Sequence, residues 1–493
     1  MIVTLDGRLH LSDCPAKLRH KLMDRLTIPN PAYQRAAAMG LPTWNIPKEL
    51  MLYQVDNNEL ILPRGLAMEI WRNRPKGTSR RDCMTLCPVP QWPASDIRLR
   101  DYQQRTARAV LESKVPQGVI VMPCGAGKTE TGLYLAKAIG QPVLWIAHTI
   151  DLIRQVQDRA FLRLGLTGDQ IGMLAGRHRH IGTNLTVATV QTLYHMDLDE
   201  LAGRFGTVIV DECQHVVANP ANAEMYNSVL GCLPAYYRYG LTATPDRADG
   251  LADTIHMILG DTLAQVSQQE LVEAGGTVLP VIQPVQTEFH YSPGAREYDH
   301  IDPNRLRRHM AADNARTARI LTHLVPTLLA GHTCIVLGSS LDMLARLEQA
   351  LAKDKDLQER GILCRSINGS TRAPLRAESL RELRAPDSPV RCLLATYQLA
   401  KEGLDIPRAD RLFLVQPVRD STAIQQSVGR IMRPAPGKTD AIVYDFVDTW
   451  VPTCQSQWSA RKTVYRKLNA NIHPIQKEDK NHGLLRLPER TGK

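Results

Sequence analysis

The segment with the clearest chemical potential is "PCGAGKTE" at residues 123–130. Glycines followed by lysine and threonine are typical of loops that hold nucleotide phosphates, although the first glycine of the general pattern is replaced by Met122. Lys128 would neutralise the β and γ phosphates, and Thr129 would bind Mg²⁺. We expect these residues to contact the nucleotide: Cys124, Gly125, Ala126, Gly127, Lys128, Thr129 and Glu130.

A pair of adjacent carboxylates follows a second apolar run, "TVIVDECQH" at residues 207–215. A carboxylate at the end of a buried strand can bind Mg²⁺, and its neighbour can orient or deprotonate water. We therefore predict that Asp211 binds the metal ion and that Glu212 acts on the water. The alternative is that both carboxylates only begin a solvated loop.

These residues need a rigid framework, and the apolar pattern predicts one. From about residue 118, short runs rich in Val and Ile alternate with helix-like segments, among them "GVIVMP", "PVLWIAHT" and "YRYGLTATP". Such runs indicate strands that are buried on both faces of a parallel sheet. A less regular stretch at residues 262–310 precedes a second series of runs, so the fold class is α/β with two tandem domains.

Composition places this framework in an ordinary globular protein. Of the 493 residues, 43% are hydrophobic and 22% are charged, and no apolar run is long enough to predict a membrane span. The formal net charge of +10 comes from the ends, because residues 1–90 carry +5 and residues 451–493 carry +6. Basic ends favour a polyanionic partner such as nucleic acid, or they only aid solubility.

The ten cysteines are scattered along the chain, several of them within apolar runs. This distribution favours reduced thiols and a cytoplasmic location over a disulfide framework. Cys83 and Cys87 form the one close pair, in "CMTLC". They could be half of a zinc site, although no second pair follows at a suitable spacing.

Taken together, "PCGAGKT", "DECQH" and "LTATP" resemble the motifs of superfamily 2 helicases and translocases. The resemblance implies two tandem RecA-like domains that use ATP and Mg²⁺. It also implies that Thr242, Ala243 and Thr244 couple hydrolysis to domain motion. The upstream segment "RLRDYQ" is similar to an adenine-recognising glutamine segment, in which Gln103 would both donate to and accept from the base.

Further segments resemble the nucleic-acid contacts of the same superfamily. "WIAHT" and "VATVQTL" place His148, Thr189 and Gln191 at strand ends, where they would hold the nucleic-acid backbone. "ATYQLAKEGLDIP" would place Thr396 on the nucleic acid, and it would place Gly403 and Asp405 near the nucleotide. For each segment alone, ordinary loop polarity is the alternative.

The segment "QQSVGRIMRP" at residues 425–434 matches the Q-x-x-G-R-x-x-R pattern of the superfamily. By this resemblance Arg433, with Arg430, would stabilise charge on the γ-phosphate, and Gln426 would help to place water or phosphate. The two arginines are three residues apart, so on a helix they would share a face. A basic surface helix would explain the charges but not the whole spacing.

DNA is the favoured partner, and RNA is possible. "DECQ" departs from the Asp-Glu-Ala-Asp of RNA helicases, and "RDYQ" resembles the duplex-DNA motors of the XPB, RecG-related and phage UvsW group. Residues 30–66 resemble the small N-terminal domain of the phage type. In the N-terminal region, Tyr33, Tyr53, Trp71, Arg72 and Arg74 mix aromatic and basic types, as nucleic-acid surfaces do, unless the aromatic rings are core.

The sequence thus predicts four segments: an accessory DNA-binding domain at 1–90, an ATP-binding domain at 91–265, a second motor domain at 266–450 and a basic extension at 451–493. The expected activity is an ATP- and Mg²⁺-dependent DNA helicase or duplex translocase. An RNA helicase, a translocating subunit of a restriction or defence complex, and a binding or annealing module with a vestigial ATPase are the alternatives.

Overall fold

The computed structural model describes residues 1–217, 220–243, 252–292, 301–401 and 406–476. Contacts between Cα atoms divide the chain into two units, Met1–Ser267 and Gln268–Lys493. No helix of the described ranges is both long and apolar enough to cross a membrane.

The first ninety residues of the first unit form a small mixed sheet. Its strands lie in the order β5-β6-β2-β1-β7, and only β1 and β7 pair in parallel. Every second residue of β2 is buried, because one face of the sheet packs on the helices of this segment. The elements are β1 (Ile2–Leu5), β2 (Arg8–Ser12), α1 (Ala16–Leu26), β3 (Thr27–Pro29), α2 (Pro31–Ala38), β4 (Glu49–Met51), β5 (Gln54–Asp56), β6 (Glu59–Pro63), α3 (Ala67–Arg72) and β7 (Ser79–Asp82).

The rest of the first unit is built on an eight-stranded sheet in the order β11-β10-β12-β9-β13-β14-β8-β15. All of its neighbours pair in parallel except β10 and β11. The elements are α4 (Asp101–Leu111), β8 (Gln117–Val121), α5 (Lys128–Ile139), β9 (Val143–Ala147), α6 (Ile150–Leu164), β10 (Ile171–Ala175), β11 (His178–His180), β12 (Leu185–Thr189), α7 (Val190–Tyr194), β13 (Thr207–Asp211), α8 (Pro220–Gly231), β14 (Tyr237–Thr242), α9 (Ala252–Leu259) and β15 (Thr262–Gln265).

The apolar runs form the central strands, as predicted. Every residue of β8, β9, β12 and β13 is buried, because helices cover both faces of a parallel sheet. Since these strands are parallel, their carboxyl ends meet at one edge of the sheet. The register pairs Asp211 with Leu241 and Thr242 with Val121, which brings the predicted motifs of this unit to that edge.

Two buried arginines join the small sheet to the eight-stranded sheet. The Arg64 side chain is 1% exposed. It donates to the Gln117 side chain at 2.7 Å and to the carbonyl oxygens of Asp6 and Ala235 at 3.0 and 2.7 Å. Arg238 donates from the other side to the carbonyl of Gly7 at 3.1 Å. Because charged donors bind these carbonyls away from water, the two parts of this unit are held firmly together.

The second unit contains a seven-stranded parallel sheet in the order β18-β19-β17-β20-β21-β16-β22. The α/β class with two parallel-sheet domains is therefore confirmed. The elements are α10 (Gln268–Glu273), β16 (Pro280–Gln286), α11 (Pro303–Ala312), α12 (Asn314–Leu329), β17 (Cys334–Gly338), α13 (Leu341–Lys353), α14 (Lys355–Glu359), β18 (Leu363–Ile367), α15 (Ala373–Arg384), β19 (Val390–Thr396), α16 (Tyr397–Lys401), β20 (Arg411–Leu414), α17 (Ser421–Ile431), β21 (Ala441–Val447), α18 (Pro452–Lys467) and β22 (Asn471–Ile472).

The stretch at residues 262–310, predicted to be less regular, contains two strands that the sequence did not reveal, β15 and β16. The second of them, β16, pairs with β21 along seven residues. On its other side it pairs with β22 through only Val281 and Ile282, so Pro280 and Pro284 are tolerated although they cannot donate a hydrogen bond. These prolines concealed the strand from sequence analysis.

The segment "WSARKTVYRKL" at residues 458–468 has basic residues at 461, 462, 466 and 467, a spacing that predicts a basic helical face, and the structure confirms the helix but not the whole face. Arg461 of α18 is 2% exposed, and its guanidinium makes two hydrogen bonds of 2.8 Å to the carboxylate of Asp445. Trp458 and Tyr465 of the same helix lie in the hydrophobic core of the second unit. Helix α18 is therefore packed into this unit, because its apolar residues need the sheet to cover them.

Candidate active site

The glycine-rich loop connects β8 to α5, the position that a phosphate-binding loop requires. Gly125 and Gly127 have φ angles of +86° and +80°, in the left-handed region that favours glycine. A Cβ atom at Gly127 would overlap the side-chain amide of Gln103. The two glycines therefore allow a close approach of the main chain, and Met122 is a fully buried residue just beyond the end of β8.

The loop is held from behind by helix α4. The Ala126 carbonyl accepts hydrogen bonds from Gln103 Nε2 at 2.8 Å and from the Tyr102 hydroxyl at 3.2 Å. Gln103 Oε1 in turn accepts from the Arg100 main-chain N–H at 2.9 Å, which caps the start of α4. Gln103 thus connects the predicted adenine segment to the phosphate loop, and its contact with adenine stays a prediction. Tyr102 was not selected from the sequence, although it is the third residue of "RDYQ".

The two carboxylates lie at the end of β13, opposite the loop lysine. Lys128 Nζ is 3.5 Å from Glu212 Oε1, and both side chains are largely buried. Glu212 has a φ of +48°, and its main-chain N–H donates to Asp211 Oδ1 at 2.9 Å. A left-handed conformation outside glycine costs about 1 kcal/mol or more and often marks a functional site.

The surroundings of Asp211 disfavour its ionised carboxylate, and a bound cation would stabilise that form. Burial first, and the neighbouring Glu212 second, raise the pKa of Asp211 to about 6, while Lys128 opposes the rise. Two adjacent carboxylates thus lie beside the Lys128 ammonium group at the phosphate loop. Mg²⁺ is commonly bound by one or two carboxylates together with substrate phosphates, so the donor set fits this ion. Thr129, in the first turn of α5, is partly buried beside the loop.

A relay of hydrogen bonds leads from Glu212 into β14. Gln214 Nε2 donates to Glu212 Oε2 at 2.7 Å, and Thr242 Oγ1 donates to Gln214 Oε1 at 2.7 Å. The predicted coupling residue Thr242 is thus one side chain away from the predicted catalytic carboxylate. Sequence analysis missed Gln214, although it is the fourth residue of "DECQ". Ala243 follows at the end of the strand, and Thr244 lies outside the described residues.

A stacked pair of histidines lies on the other side of Glu212. The rings of His148 and His215 have centroids 3.7 Å apart and planes inclined by 29°. The His215 main-chain N–H donates to the Glu212 carbonyl at 2.9 Å. Burial, followed by the charge of His215, lowers the pKa of His148 to about 3, so that its ring is neutral near pH 7. His215 was not selected from the sequence, although it follows "DECQ" directly.

The three predicted nucleic-acid residues of this unit come together. Gln191 Nε2 donates to the His148 carbonyl at 3.1 Å, and the register places Thr189 beside Ala147. Gln191 is exposed, whereas Thr189 is 8% exposed and shares a hydrogen bond with Thr192 at 2.8 Å. Within the described ranges, the buried Nδ1 of His148 has no hydrogen-bond partner. Gln191 is therefore better placed than His148 to contact a ligand directly.

The predicted residues of the second unit lie at the ends of its strands and in α17. Thr396 is the last residue of β19, and Gln426 and Arg430 lie in α17. The helix ends at Ile431, so Arg433 lies beyond it, and the prediction that both arginines share a helical face is wrong. Gly403 and Asp405 lie outside the described residues.

The remaining candidate was a zinc site at Cys83 and Cys87. Both are free thiols, and Cys87 Sγ is 3.3 Å from the Gly203 carbonyl oxygen. No group of three or more His, Cys, Asp or Glu side chains suited to a metal ion occurs in the described part of the chain. The pair therefore has no further ligands there.

Two family models match the parts of the chain that carry these features. The model of the type III restriction enzyme res subunit matches residues 96–247, and that of the helicase conserved C-terminal domain matches residues 316–435. Together the two matches cover more than half of the chain, and they include the phosphate loop, the carboxylate pair and the arginines. The chain belongs to the superfamily 2 helicases and translocases. It is accordingly an ATP-hydrolysing enzyme that binds nucleic acid.

Two relatives that are similar along most of this chain are named as helicases. A protein of Acanthamoeba polyphaga mimivirus, provisionally named an ATP-dependent RNA helicase, is 26% identical over 399 residues, which cover 78% of this chain and 71% of the relative. The DNA 3'-5' helicase XPB of Mycobacterium tuberculosis is 26% identical over 387 residues, which cover 72% of this chain and 65% of the relative.

A solved structure supports the fold of this helicase. Dbp5 of S. cerevisiae, bound to RNA and ADP BeF3, is similar with a TM-score of 0.57 and 15% identity over 76% of this chain and 90% of that chain. At this identity the likeness shows the tandem RecA-like fold alone.

Proposed function

We propose that the protein is an ATP- and Mg²⁺-dependent DNA helicase or duplex-DNA translocase. The observation that carries the proposal is the position of Glu212 between two sets of contacts. On one side it faces Lys128 of the phosphate loop at 3.5 Å. On the other side it connects through Gln214 to Thr242, and its carbonyl connects through His215 to His148. A nucleic acid that contacts the strand ends can therefore influence the hydrolytic carboxylate.

The chain's own residues supply most of the chemistry. Lys128 neutralises charge on the terminal phosphates of ATP, and the glycine-rich loop brings main-chain N–H groups to them. Glu212 orients the attacking water and accepts its proton. Mg²⁺, held by Asp211 and Thr129, would neutralise charge on the β and γ oxygens.

Arg433 and Arg430 are proposed to stabilise charge on the γ-phosphate, with Gln426 placing water or phosphate. This assignment is supported by the match of "QQSVGRIMRP" to the superfamily pattern. An arginine in this role is worth about 10³–10⁵ in rate in related enzymes. Arg433→Ala should therefore keep ATP affinity, measured with a fluorescent ATP analogue, and lose turnover. Loss of ATP binding alone would contradict the role.

DNA is proposed as the substrate because the "DECQ" and "RDYQ" segments resemble duplex-DNA motors and because one relative is named as a DNA helicase. An RNA helicase is the second candidate, because the mimivirus relative is named as an RNA helicase. ATP turnover stimulated by duplex or single-stranded DNA, but not by RNA of equal length, is the expected result. Stimulation by RNA alone would reject the DNA proposal.

The choice between unwinding and translocation needs a second measurement. Forked duplexes, Holliday junctions and D-loops report unwinding or branch migration, whereas displacement of a third strand from a triplex reports movement along an intact duplex. Displacement without unwinding would identify a duplex translocase, as expected for a restriction-type motor.

The proposed catalytic residues have a direct test. Glu212→Gln should reduce turnover by about 10²–10⁴-fold while ATP still binds, because the amide can accept the Gln214 hydrogen bond but cannot take a proton. Lys128→Ala should weaken ATP binding as well. Normal DNA-stimulated turnover in either variant would show that the site is assigned wrongly.

A further inference from the structure

A pocket lies within the first unit, where the small sheet meets the eight-stranded sheet. One wall comes from β1, α3 and β7, and the other comes from residues 114–117 and Tyr236. The buried side chains of Arg64 and Arg238 fasten these two parts together. Buried hydrogen bonds therefore hold the two walls of the pocket against each other.

The interior of the pocket suits a flat, apolar group. Methionine side chains are polarizable and adapt to irregular shapes, and aromatic rings offer faces for stacking. No Asp or Glu is among the lining residues within the described chain. The apolar and aromatic side chains that matter here are Leu5, Met68, Trp71, Met84, Val115 and Tyr236.

The pocket also has basic lining residues and a basic segment beside it. Arg80 and Lys114 line the pocket directly. Arg80 belongs to residues 72–81, "RNRPKGTSRR", which contain five exposed Arg or Lys residues and no Asp or Glu. Asp82 offsets part of this charge through a 2.8 Å contact with Arg80. A net positive charge remains, which favours a polyanion over an uncharged peptide.

Trp71 connects the apolar interior to the basic segment. The guanidinium carbon of Arg74 lies 4.1 Å from the centroid of the Trp71 ring. Arg74 also donates to the Trp71 carbonyl at 2.6 Å, which holds the cation over the ring. An aromatic ring with a cation beside it is a common arrangement where proteins stack nucleic-acid bases.

We propose that this pocket binds an unstacked base of a single-stranded nucleic acid, while residues 72–81 and Lys114 hold the adjoining phosphates. The inference rests on the proposed function, because that function supplies the strand. It adds a binding site outside the helicase motifs, with chemistry that differs from theirs. The motif residues offer hydroxyl and amide groups to the backbone, whereas this pocket would hold the base itself and tolerate any sequence.

Photo-crosslinking tests the position of the base. The full-length protein is mixed with a single-stranded DNA oligonucleotide that carries 5-iododeoxyuridine, irradiated, digested and analysed by mass spectrometry. Crosslinks to Trp71 or Tyr236 are the expected result. Crosslinks confined to segments outside the pocket would overturn the proposal.

Affinity measurements test the energetics with a matched control. Lys114→Glu should weaken binding and reduce the slope of log affinity against log salt by about 0.7 per lost phosphate contact. Lys17→Glu changes the same charge at an exposed residue outside the pocket and should have a much smaller effect. Trp71→Ala should weaken binding roughly 5- to 150-fold, and Trp71→Phe should restore most of it, because the stacking face remains. Thermal unfolding checks that each variant is folded.

The outcomes separate this inference from the proposed function. If no nucleic acid stimulates ATP turnover in the wild-type protein, the proposed function fails. If stimulation occurs but Lys114→Glu and Trp71→Ala bind the oligonucleotide like the wild type, only the pocket proposal fails. If both variants lose binding of an apolar peptide but not of the oligonucleotide, the pocket is a peptide site and the proposal is wrong.

Discussion

At the scale of single residues, backbone conformation and burial define the site more sharply than residue type does. Gly127 is needed because its φ of +80° and the nearby Gln103 amide leave no room for a side chain. Glu212 accepts a left-handed conformation that glycine would adopt more easily. Glu212 is thus held in a conformation that is unfavourable for its residue type, which is typical of functional sites.

We expect Gly127→Ala to disturb the phosphate loop through Gln103. The new methyl group would push the Gln103 amide away from the Ala126 carbonyl and would strain the main chain by about 1 kcal/mol. ATP affinity should fall at least tenfold, measured by calorimetry or with a fluorescent analogue. Gly176→Ala is the control, because Gly176 also has a positive φ, +56°, but has open space around its Cβ position. Equal ATP affinity in both variants would contradict this account of the loop.

At the scale of elements, the carboxyl ends of parallel strands bring together residues that are far apart in sequence. β9 supplies the position of His148, β13 that of His215, and the stack joins the two strand ends. Gln191, at the start of α7, is attached to the same pair through the His148 carbonyl. The arrangement offers a short connection between the proposed nucleic-acid contact at Gln191 and Glu212.

We therefore expect the histidine pair to act as positioning residues. His148→Ala and His215→Ala should each reduce the factor by which DNA stimulates ATP turnover by about tenfold, a coupling of about 1.4 kcal/mol. The double variant should lose little more, because the two rings act as a unit. His195→Ala, at an exposed histidine, is the control. Replacement of both rings by Phe should retain most of the coupling, and full stimulation in the alanine variants would reject the role.

At the scale of the whole molecule, buried charges stabilise each unit. In the second unit, the fully buried Arg316 and Asp448 are 2.8 Å apart, and Arg461 pairs with Asp445 at the same distance. In the first unit, Arg64 and Arg238 bind main-chain carbonyl groups instead of carboxylates. Arg64, beside the small sheet, donates to Ala235, and Arg238, in the eight-stranded sheet, donates to Gly7. These contacts join segments that are distant in sequence.

The joint in the first unit can be tested by stability. Arg64→Ala removes several charge-assisted hydrogen bonds and should lower the free energy of unfolding by on the order of 3 kcal/mol. Amide hydrogen exchange should then speed up in the small sheet, while the sheet of the second unit stays protected. Arg25→Ala removes an exposed ion pair with Glu69 and should cost less than about 1 kcal/mol. Unchanged exchange in the small sheet would show that Arg64 does not hold it.

The acidic neighbours of His10 give the small sheet a pH dependence. Its ring contacts Asp6 at 3.2 Å and Glu59 at 3.1 Å, and the hydrogen bond to Asp6 raises the pKa of His10 above its ordinary value. Because the pKa of His10 is higher in the folded state, its protonation stabilises the sheet fully below about pH 6.5, the ordinary pKa of histidine. This stabilisation is lost as the pH rises through the folded-state pKa of His10. The free energy of unfolding of the wild type should therefore fall more between pH 6 and pH 8 than that of His10→Gln. Denaturant titration at several pH values measures this difference. Equal pH dependence in the two proteins would contradict the role of His10.

The sequence by itself determined the α/β class, the central strands, the loop around Lys128 and the pair Asp211–Glu212. These features were accessible because they depend on local patterns: apolar runs, glycines and residues that follow a strand directly. Strand β16 was missed because its prolines break that pattern. The prediction that Arg430 and Arg433 share a helical face was wrong because α17 ends at Ile431, two residues before Arg433.

Only the tertiary structure decided which partner each polar side chain has. It turned Gln103 toward the Ala126 carbonyl, stacked His148 on His215 and buried Arg461 against Asp445. None of these outcomes has a local signal, since a hydrogen bond or ring contact depends on chain segments that meet only after folding. The sequence specifies the chemical groups, and the packing of distant strands specifies which of them act together.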